Sequence, residues 1–251
     1  MPAAPSQTFG APRRHFRIVD STNERARELA ASGAPSGLVV TANEQSAGRG
    51  RRGRQWTAPP GKALLCSAIL SPLGGEHALL PLAAPLAVCE AVESLSPLTC
   101  QVKWPNDVWS DECKLAGILI EAQPPSWAVI GIGLNVSVEP DEFPADLRHP
   151  ATSVGHGVGA EEALKAICDR LGDWVAASPE RVLAEFGSRD ALRGREVQWA
   201  GASGEEGAGA GVADGIDHRG NLVVISNEGE RRSLGSGEIT LSMPSNRRVS
   251  D

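Results

Sequence analysis

The residues best suited to chemistry form a Gly/Arg segment at positions 48–56, GRGRRGRQW. It places four arginines within seven positions of a chain whose formal net charge is −7. Glycine lets backbone N–H groups approach an anion, and the arginine fork binds two oxygens of a phosphate or carboxylate. The segment alone fits either a clamp for an anionic small molecule or a solvated basic loop, such as an RNA contact. A predicted strand before it, at 38–42, and Trp56 after it favour the clamp.

A second cluster, Lys103-Trp104-Pro105-Asn106-Asp107, brings a cation, an amide and a carboxylate together. Proline is unfavourable inside a central strand, so the cluster is expected at a strand end or in a turn. Taken alone, an ordinary Pro-Asn-Asp turn without a functional role is the simpler interpretation.

Two apolar strands carry further residues that could contact a ligand. Lys114 stands at the mouth of the first strand, either as a snorkelling surface lysine or as a point charge for phosphate or carboxylate oxygens. Gly117 in this strand, and Gly131 and Gly133 in the next, would allow a ligand or another strand to come close. The G-x-G is not a dinucleotide fingerprint, because a third glycine and a following helix are missing. Asn135 either bonds a base edge or simply ends its strand.

These residues must be positioned by alternating helices and strands. A helix is predicted from Ser21 to Gly33, with Ser21 and Glu24 forming a capping box. Hydrophobic patterning predicts further helices at 78–95, at 161–176 and from 178 onward, and strands at 38–42, 63–70, 101–104, 107–109, 115–121 and 128–136.

The sequence changes character near residue 191. Short predicted strands with Gly-rich turns follow, at 195–200, 211–216, 221–226 and 238–242, and this spacing is typical of a small β-barrel. The Gly/Ala/Glu stretch 200–211 has little to pack and is expected to be a mobile loop. We therefore predict two domains, residues 1–191 and residues 192–251.

Composition excludes several classes of protein. A hydrophobic fraction of 41% can build a core, and the net negative charge argues against general nucleic-acid binding. No stretch has the length and apolarity of a signal peptide or membrane span, so no membrane partner is expected. Five scattered cysteines without a C-x-x-C pair indicate reduced thiols in a cytoplasmic protein, and no metal site is expected.

Together and in this order, the motifs resemble those of the biotin protein ligases. The similarity spans about residues 16–242, and the pattern G-R-G-R-x-G-R-x-W is highly specific. The matching segments are DSTN at 20–23, QSAGRGRRGRQW at 45–56, KWPND at 103–107, KLAGIL at 114–119 and GIGLN at 131–135, with weaker matches at 215–217, 220–222 and 237–239.

The resemblance implies an α/β (α+β) fold, with a mixed-sheet catalytic domain and a small C-terminal SH3-like β-barrel. It implies two half-reactions: biotin and ATP give biotinyl-5′-AMP, and the biotinyl group then passes to a lysine of a biotin carboxyl carrier protein. Mg²⁺ is expected with ATP. Some family members carry an N-terminal winged-helix domain that binds DNA. Here the catalytic pattern begins by Phe16, so an enzyme-only form without DNA binding is expected, as a monomer or weak homodimer.

The family pattern also implies roles for individual residues. Arg51 and Lys114 would act on the reacting carboxylate and phosphate oxygens as catalytic residues. Residues expected to bind biotin are Ser21, Thr22, Asn23, Gln45, Arg49, Gly50, Arg51, Lys114, Gly117 and Gly131. Residues expected on the nucleotide side are Arg54, Trp56 and Asn135.

Two other functions compete with this interpretation. A lipoate or octanoate ligase or transferase shares the catalytic fold, although that family is expected to lack the arginine-rich clamp. A more distant alternative is a non-enzymatic RNA-binding module that uses the Arg-rich loop.

Overall fold

The computed structural model describes residues 8–200, 208–235 and 238–241. The helices are α1 (Thr22–Ala31), α2 (Leu80–Leu95), α3 (Ala160–Val175) and α4 (Pro179–Arg189). The strands are β1 (Arg13–Phe16), β2 (Val39–Ala42), β3 (Ala63–Leu70), β4 (Gln101–Lys103), β5 (Asp107–Ser110), β6 (Cys113–Gln123), β7 (Trp127–Asn135), β8 (Glu196–Ala200), β9 (Gly209–Ile216), β10 (Leu222–Ser226), β11 (Arg231–Leu234) and β12 (Glu238–Leu241). Short 3₁₀ turns lie at Arg51–Gly53, Gly75–His77 and Pro140–Glu142.

The first seven strands form one mixed sheet in the order β1-β2-β3-β7-β6-β5-β4. The β1–β2 pair is parallel, and every other neighbouring pair is antiparallel. The predicted mixed sheet with helices is thus confirmed. The central strand β3 is an apolar run interrupted by Ser67, and all eight of its residues are buried because both faces of the strand are covered.

Helix α1 packs against this sheet through its small apolar face. Ala26 and Ala30 contact a cluster that includes Val40, Ile69 and Val129 from three different strands. Two alanines bring the helix close to the sheet, so the polar residues of its first turn lie directly on the strands. This close approach positions the head of the candidate site.

The predicted capping box at the start of α1 is wrong. Ser21 is the N-cap residue and has extended backbone angles, but its side chain makes no capping hydrogen bond. Its own backbone N–H instead donates to the Asp20 carboxylate at 2.7 Å. Glu24 is drawn away from the cap, because it pairs with the guanidinium groups of Arg27 and Arg49.

A tight β-hairpin joins β5 to β6. Ser110 pairs with Cys113 across the turn, and Asp111 and Glu112 have φ angles of 47° and 62°. Two consecutive left-handed residues match the twist of a two-residue hairpin. The hairpin places Asp107 opposite Gly117, three residues beyond Lys114.

The chain divides into two compact units, Met1–Arg189 and Asp190–Asp251; the sequence predicted the boundary at residue 191. In the second unit the strands form an antiparallel sheet in the order β11-β10-β9-β8-β12. Pairings among the described residues leave this sheet open, so the closed barrel stays a prediction. Most of the predicted loop 200–211 lies outside the described residues, as does Gly237 of the weakest motif match. Residues 209–211 belong to β9 and not to a loop.

Within the described part of the chain, no helix is both long and apolar enough to cross a membrane.

Candidate active site

One cavity collects most of the predicted site residues. It encloses about 730 Å³ including its open mouth, a size suited to a small-molecule ligand. Its wall comes from the start of α1, the Gly/Arg loop, the KWPND turn and strands β6 and β7. The lining residues are Ser21, Thr22, Asn23, Gln45, Arg49, Gly50, Arg51, Arg54, Gln55, Trp56, Leu65, Asn106, Asp107, Lys114, Gly117, Ile118, Leu119, Gly131, Ile132 and Gly133.

One end of the cavity presents uncharged polar side chains. The amide oxygen of Gln45 accepts a hydrogen bond from the Thr22 backbone N–H at 2.7 Å. The Ser67 hydroxyl lies 2.8 Å from the Thr22 hydroxyl and 2.6 Å from the amide oxygen of Asn23. Thr22, Asn23 and Ser67 are all buried. We call this set of four residues the neutral end; it can bind an uncharged group that both donates and accepts hydrogen bonds.

Three glycines on the sheet make room for this arrangement. Residues 129, 131 and 133 of β7 lie on the same face of the sheet, the face on which α1 packs. A Cβ atom at Gly131 would lie 1.9 Å from the Asn23 amide oxygen. At Gly133 it would lie 2.5 Å from the Trp56 indole, and at Gly117 it would lie 3.0 Å from the same ring. The glycines are therefore required by the side chains that lie flat on the strands.

The opposite end of the cavity is cationic. Lys114 forms an ion pair with Asp107 at 2.7 Å, and its Nζ lies 5.6 Å from the centre of the Trp56 ring. Arg51 donates to the Asn106 amide oxygen at 3.2 Å. Arg54 adds a further cation to the wall, whereas Asp107 is the one carboxylate among the lining residues. We call Arg51, Arg54, Lys114 and Asp107 the cationic end; its excess positive charge suits a carboxylate or phosphate.

Burial changes the acidity of two cations at and beneath this end. Desolvation, with help from the neighbouring charge of Arg52, lowers the pKa of Arg51 below its ordinary value. Burial also lowers the pKa of Lys103 to about 8, and the attraction of Asp107 only partly offsets this. Lys103 is buried beside the Trp109 ring. An anion entering the cavity would relieve the repulsion among these charges.

Arg49, the first arginine of the Gly/Arg loop, faces away from the cationic end. Its guanidinium lies 2.7 Å from the Glu24 carboxylate and 3.9 Å from that of Glu121. Both carboxylates belong to the framework around the neutral end. Arg49 thus connects the loop to the head of the site, and its charge is already compensated there.

Asn135 lies apart from the other predicted residues. It borders a neighbouring hollow lined by residues 57–59 and 142–144, and its amide donates to the Thr152 carbonyl at 3.1 Å. Thr152 N–H in turn bonds the Lys114 carbonyl at 3.0 Å, and Lys114 N–H bonds the Pro150 carbonyl at 2.7 Å. The segment 150–152 therefore fixes the backbone of Lys114, and Asn135 fixes that segment.

The chain is similar to known proteins over most of its length. Residues 15–135 match the family model described as the biotin/lipoate A/B protein ligase family. The bifunctional ligase/repressor BirA of Bacillus subtilis (strain 168) is 33% identical over 235 residues, which cover 86% of this chain and 70% of that protein. The chain belongs to the biotin protein ligase family. A biotin–[acetyl-CoA-carboxylase] ligase of Mycobacterium tuberculosis is 36% identical over 217 residues, covering 80% of this chain and 79% of its own.

A solved biotin protein ligase shares the fold. The structure of the Aquifex aeolicus enzyme in complex with biotin and ATP superposes with a TM-score of 0.79 at 29% identity. It covers 93% of this chain and 99% of the other. Membership of the biotin protein ligases agrees with a cavity that has one neutral and one cationic end.

The structure brings together twelve of the thirteen predicted site residues, and the exception is Asn135. Sequence reasoning missed Ser67, a member of the neutral end on β3, and Glu121, which contacts Asn23 from β6. A lone polar residue inside the buried apolar run of β3 was the available signal for Ser67. Among the described residues, no group of three or more His, Cys, Asp or Glu side chains could hold a metal ion.

Proposed function

We propose that this cavity binds biotin and ATP, and that the protein attaches biotin to a lysine of a biotin carboxyl carrier protein. The observation that carries the proposal is the polarity of the cavity. In this member of the biotin protein ligase family, the neutral end and the cationic end belong to one cavity that is lined in part by glycines. The first end suits the ureido ring of biotin, and the second suits its carboxylate and the α-phosphate of ATP.

The chemistry explains why activation is needed. A free carboxylate is a poor acyl donor, because its leaving group would be oxide or hydroxide. A biotin carboxylate oxygen attacks the α-phosphorus, the bond to the β-phosphate oxygen breaks, and pyrophosphate leaves. The carrier amine, after losing a proton, then attacks the carbonyl carbon of the mixed anhydride. The bond to the adenylate oxygen breaks, and AMP leaves with its electron pair.

The residue roles follow from their places in the cavity. Arg51 and Lys114 shield the approach of one anion to another and stabilise the charge that develops on the phosphate oxygens. Ser21, Thr22, Asn23 and Gln45 hold the ureido ring, and Gly117 and Gly131 line the slot for the bicycle. Arg49 and Gly50 cover the ligand from the loop. Arg54 and Trp56 contact the nucleotide directly, and Asn135 does so from the adjoining hollow.

Mg²⁺ is expected to arrive with ATP and not in a dedicated protein site. This ion keeps several waters and is commonly bound by one or two carboxylates together with substrate phosphates. Asp107 supplies the single carboxylate of the cavity wall, and the neighbouring Asn106 supplies an amide oxygen. Because these oxygens are already paired with Lys114 and Arg51, the ion would be held mainly by the phosphates of ATP, whose charge it would neutralise during adenylation.

The two compact units are assigned different roles in this proposal. Residues 1–191 form the catalytic domain, and residues 192–251 form a C-terminal SH3-like barrel. Support for the barrel comes from five short antiparallel strands and from the glycines that lie between them in the sequence. Its Asp217 turn is well defined: hydrogen bonds from Ser233, Asn221 and Arg219 outweigh burial and lower the pKa of Asp217 to about 2.

Pyrophosphate release tests the proposed substrate directly. The purified protein with ATP should release pyrophosphate when biotin is added, and not when lipoate or octanoate is added at the same concentration. Lipoate-driven release at a comparable rate would assign the protein to the lipoate ligases instead. Absence of release with all three acids would refute adenylation of any of them.

A further inference from the structure

A hydrogen-bond network, buried at Ser67 and Asn23 and partly exposed at Glu121, lies directly behind the neutral end. Asn23 donates through Nδ2 to the Glu121 carboxylate at 2.9 Å and to the Leu119 carbonyl at 3.3 Å. Its Oδ1 lies 2.6 Å from the Ser67 hydroxyl, which is itself 2.8 Å from the Thr22 hydroxyl. Ser67 is completely buried on β3, opposite Gly131 of β7. Neither Ser67 nor Glu121 belongs to a motif of the ligand-binding loop.

The network fixes which way the Asn23 amide points. A carboxylate and a backbone carbonyl can only accept hydrogen bonds, so the amide atom that faces Glu121 and Leu119 must be the NH₂ group. The oxygen of Asn23 therefore faces Ser67 and the cavity. Because that oxygen carries no hydrogen, the Ser67 hydroxyl must donate to it.

Counting hydrogens then fixes the polarity of Thr22. The Ser67 hydroxyl donates its single hydrogen to Asn23. In any hydrogen bond between Ser67 and Thr22, the Thr22 hydroxyl must therefore be the donor. The other partner within reach of the Thr22 hydroxyl is Gln45 Oε1 at 3.1 Å, which is also only an acceptor. In either arrangement the one hydrogen of Thr22 is used inside the network. Thr22 can therefore offer the cavity only lone pairs.

Gln45 has the opposite polarity toward a ligand. Its amide oxygen is held by the Thr22 backbone N–H, which can only donate. The NH₂ group of Gln45 therefore keeps its two hydrogens for other partners, beside Gly48 of the loop. The neutral end thus combines two acceptors, Thr22 Oγ1 and Asn23 Oδ1, with one amide donor.

We propose that Ser67 and Glu121 are positioning residues that set this polarity and so determine specificity for the head of the substrate. The inference rests on the proposed function and extends it. A cyclic urea offers N–H donors beside a carbonyl acceptor, which complements the two acceptors and the amide donor. A dithiolane ring or an alkyl chain offers no N–H group, and would leave buried acceptors without hydrogen bonds.

An exchange of donor and acceptor between Asn23 and Glu121 tests the proposal. Asn23→Asp places two carboxylates against each other and should weaken biotin binding about 30- to 100-fold. Glu121→Gln alone should cost about threefold or less, because glutamine can still present an oxygen to Asn23. The double variant Asn23→Asp/Glu121→Gln restores one donor–acceptor pair and should recover about tenfold of the loss. Titration calorimetry with biotin measures all three.

Ser67 provides a second test that does not depend on a new charge. Ser67→Ala should raise the KM for biotin about tenfold and leave the KM for ATP unchanged, because the network contacts only the neutral end. Ser67→Thr keeps the hydroxyl and should restore most of the biotin KM. The matched control for Asn23→Asp is Asn43→Asp, which makes the same substitution at an exposed position. This variant should bind biotin like the wild type.

The outcomes separate the two proposals. Failure of the wild type to bind biotin or to form an adenylate refutes the proposed function. If the wild type binds biotin, the polarity inference is overturned by wild-type affinity in Asn23→Asp or by no recovery in the double variant. If Asn23→Asp does not fold, the variants Ser67→Ala and Ser67→Thr test the inference. It would be contradicted if Ser67→Ala raised the KM for biotin and the KM for ATP equally, or if Ser67→Thr did not restore the KM for biotin.

Discussion

The two ends of the cavity are built differently. At the neutral end, Thr22, Asn23 and Ser67 are buried, lie on a helix start and a central strand, and bond one another. At the cationic end, Arg51 and Arg54 belong to the Gly/Arg loop, which contains a short 3₁₀ turn and whose two ends pair through backbone hydrogen bonds. The side chain of Arg51 donates to Asn106 in the turn below it. The difference indicates that selection of the ligand head is preorganised, whereas the charge at the other end is balanced when the anion binds.

The largest effect should come from breaking the cationic end at Lys114. Lys114→Ala should slow single-turnover adenylate formation about 100- to 1000-fold, because it removes a cation aimed at the developing phosphate charge. Biotin affinity should change by about threefold or less, since the neutral end is intact. Lys165→Ala removes an exposed lysine paired with Asp169 and serves as the control. Adenylate formation at the wild-type rate in Lys114→Ala would assign its role elsewhere.

Gly131→Ala breaks the neutral end instead. The new Cβ atom would meet the Asn23 amide oxygen at 1.9 Å, so Asn23 must move away from its place on the strand. Biotin binding should weaken about 10- to 100-fold while the KM for ATP stays within about twofold. Gly187→Ala has open space around its Cβ and is the matched control. Equal losses for biotin and ATP would show that the two ends are not separable.

Arg51→Gly sharpens the comparison, because it tests retention of the intermediate and not its formation. The variant should release biotinyl-adenylate about tenfold faster or more, since it loses an arginine that binds the adenylate phosphate. Free adenylate then acylates exposed lysines of an unrelated bystander protein, which a biotin blot detects. Arg52→Gly is the control: it removes the same charge from a loop position that has a φ of 57° and does not line the cavity. Wild-type labelling by an Arg51→Gly variant that still forms adenylate would exclude Arg51 as the clamp.

The smallest effect concerns Lys103 beneath the cationic end. Its pKa is lowered from 10.5 to about 8 in the folded protein. Between these values the unfolded state binds more protons, so this group makes stability rise as the pH increases from about 8 to 10.5. Lys103→Met should lack this rise in the free energy of unfolding, which in the wild type is on the order of 1–2 kcal/mol. Urea unfolding at pH 7 and pH 10 measures it; parallel changes in both proteins would contradict the assignment.

Much of the fold could be predicted from the sequence because its central elements carry strong patterns. The apolar run of β3 and the amphipathic face of α3 are examples. The strands that were missed, β1 and β11, are edge strands with the sequences RRHF and RRSL and mostly exposed side chains. Edge strands are stabilised mainly by backbone pairing with a neighbouring strand. Such pairing does not require alternating apolar and polar residues, so the sequence carries no pattern that predicts these strands.

The site shows the same limit. Motif residues such as Arg51, Lys114 and Gly131 could be predicted, because glycine and charge clusters are rare inside apolar strands. Ser67 stands out in the sequence only as the single polar residue within β3, and Glu121 does not stand out, since the importance of both depends on strand register and on the place where α1 meets the sheet. The sequence indicated Asn135 as a candidate residue but did not predict its position outside the main cavity. Its contact with Thr152 depends on a loop conformation that the sequence pattern does not determine.

The most direct test of the account is transfer of labelled biotin to a purified biotin carboxyl carrier domain. With ATP, Mg²⁺ and biotin, the wild-type protein should add a single biotinyl group to the carrier lysine, as seen by intact-mass measurement. Omission of ATP or replacement of biotin by lipoate should abolish the mass gain, and Lys114→Ala should slow it about 100-fold or more. An unmodified carrier in the complete reaction, or a carrier modified equally well by lipoate, would contradict the account.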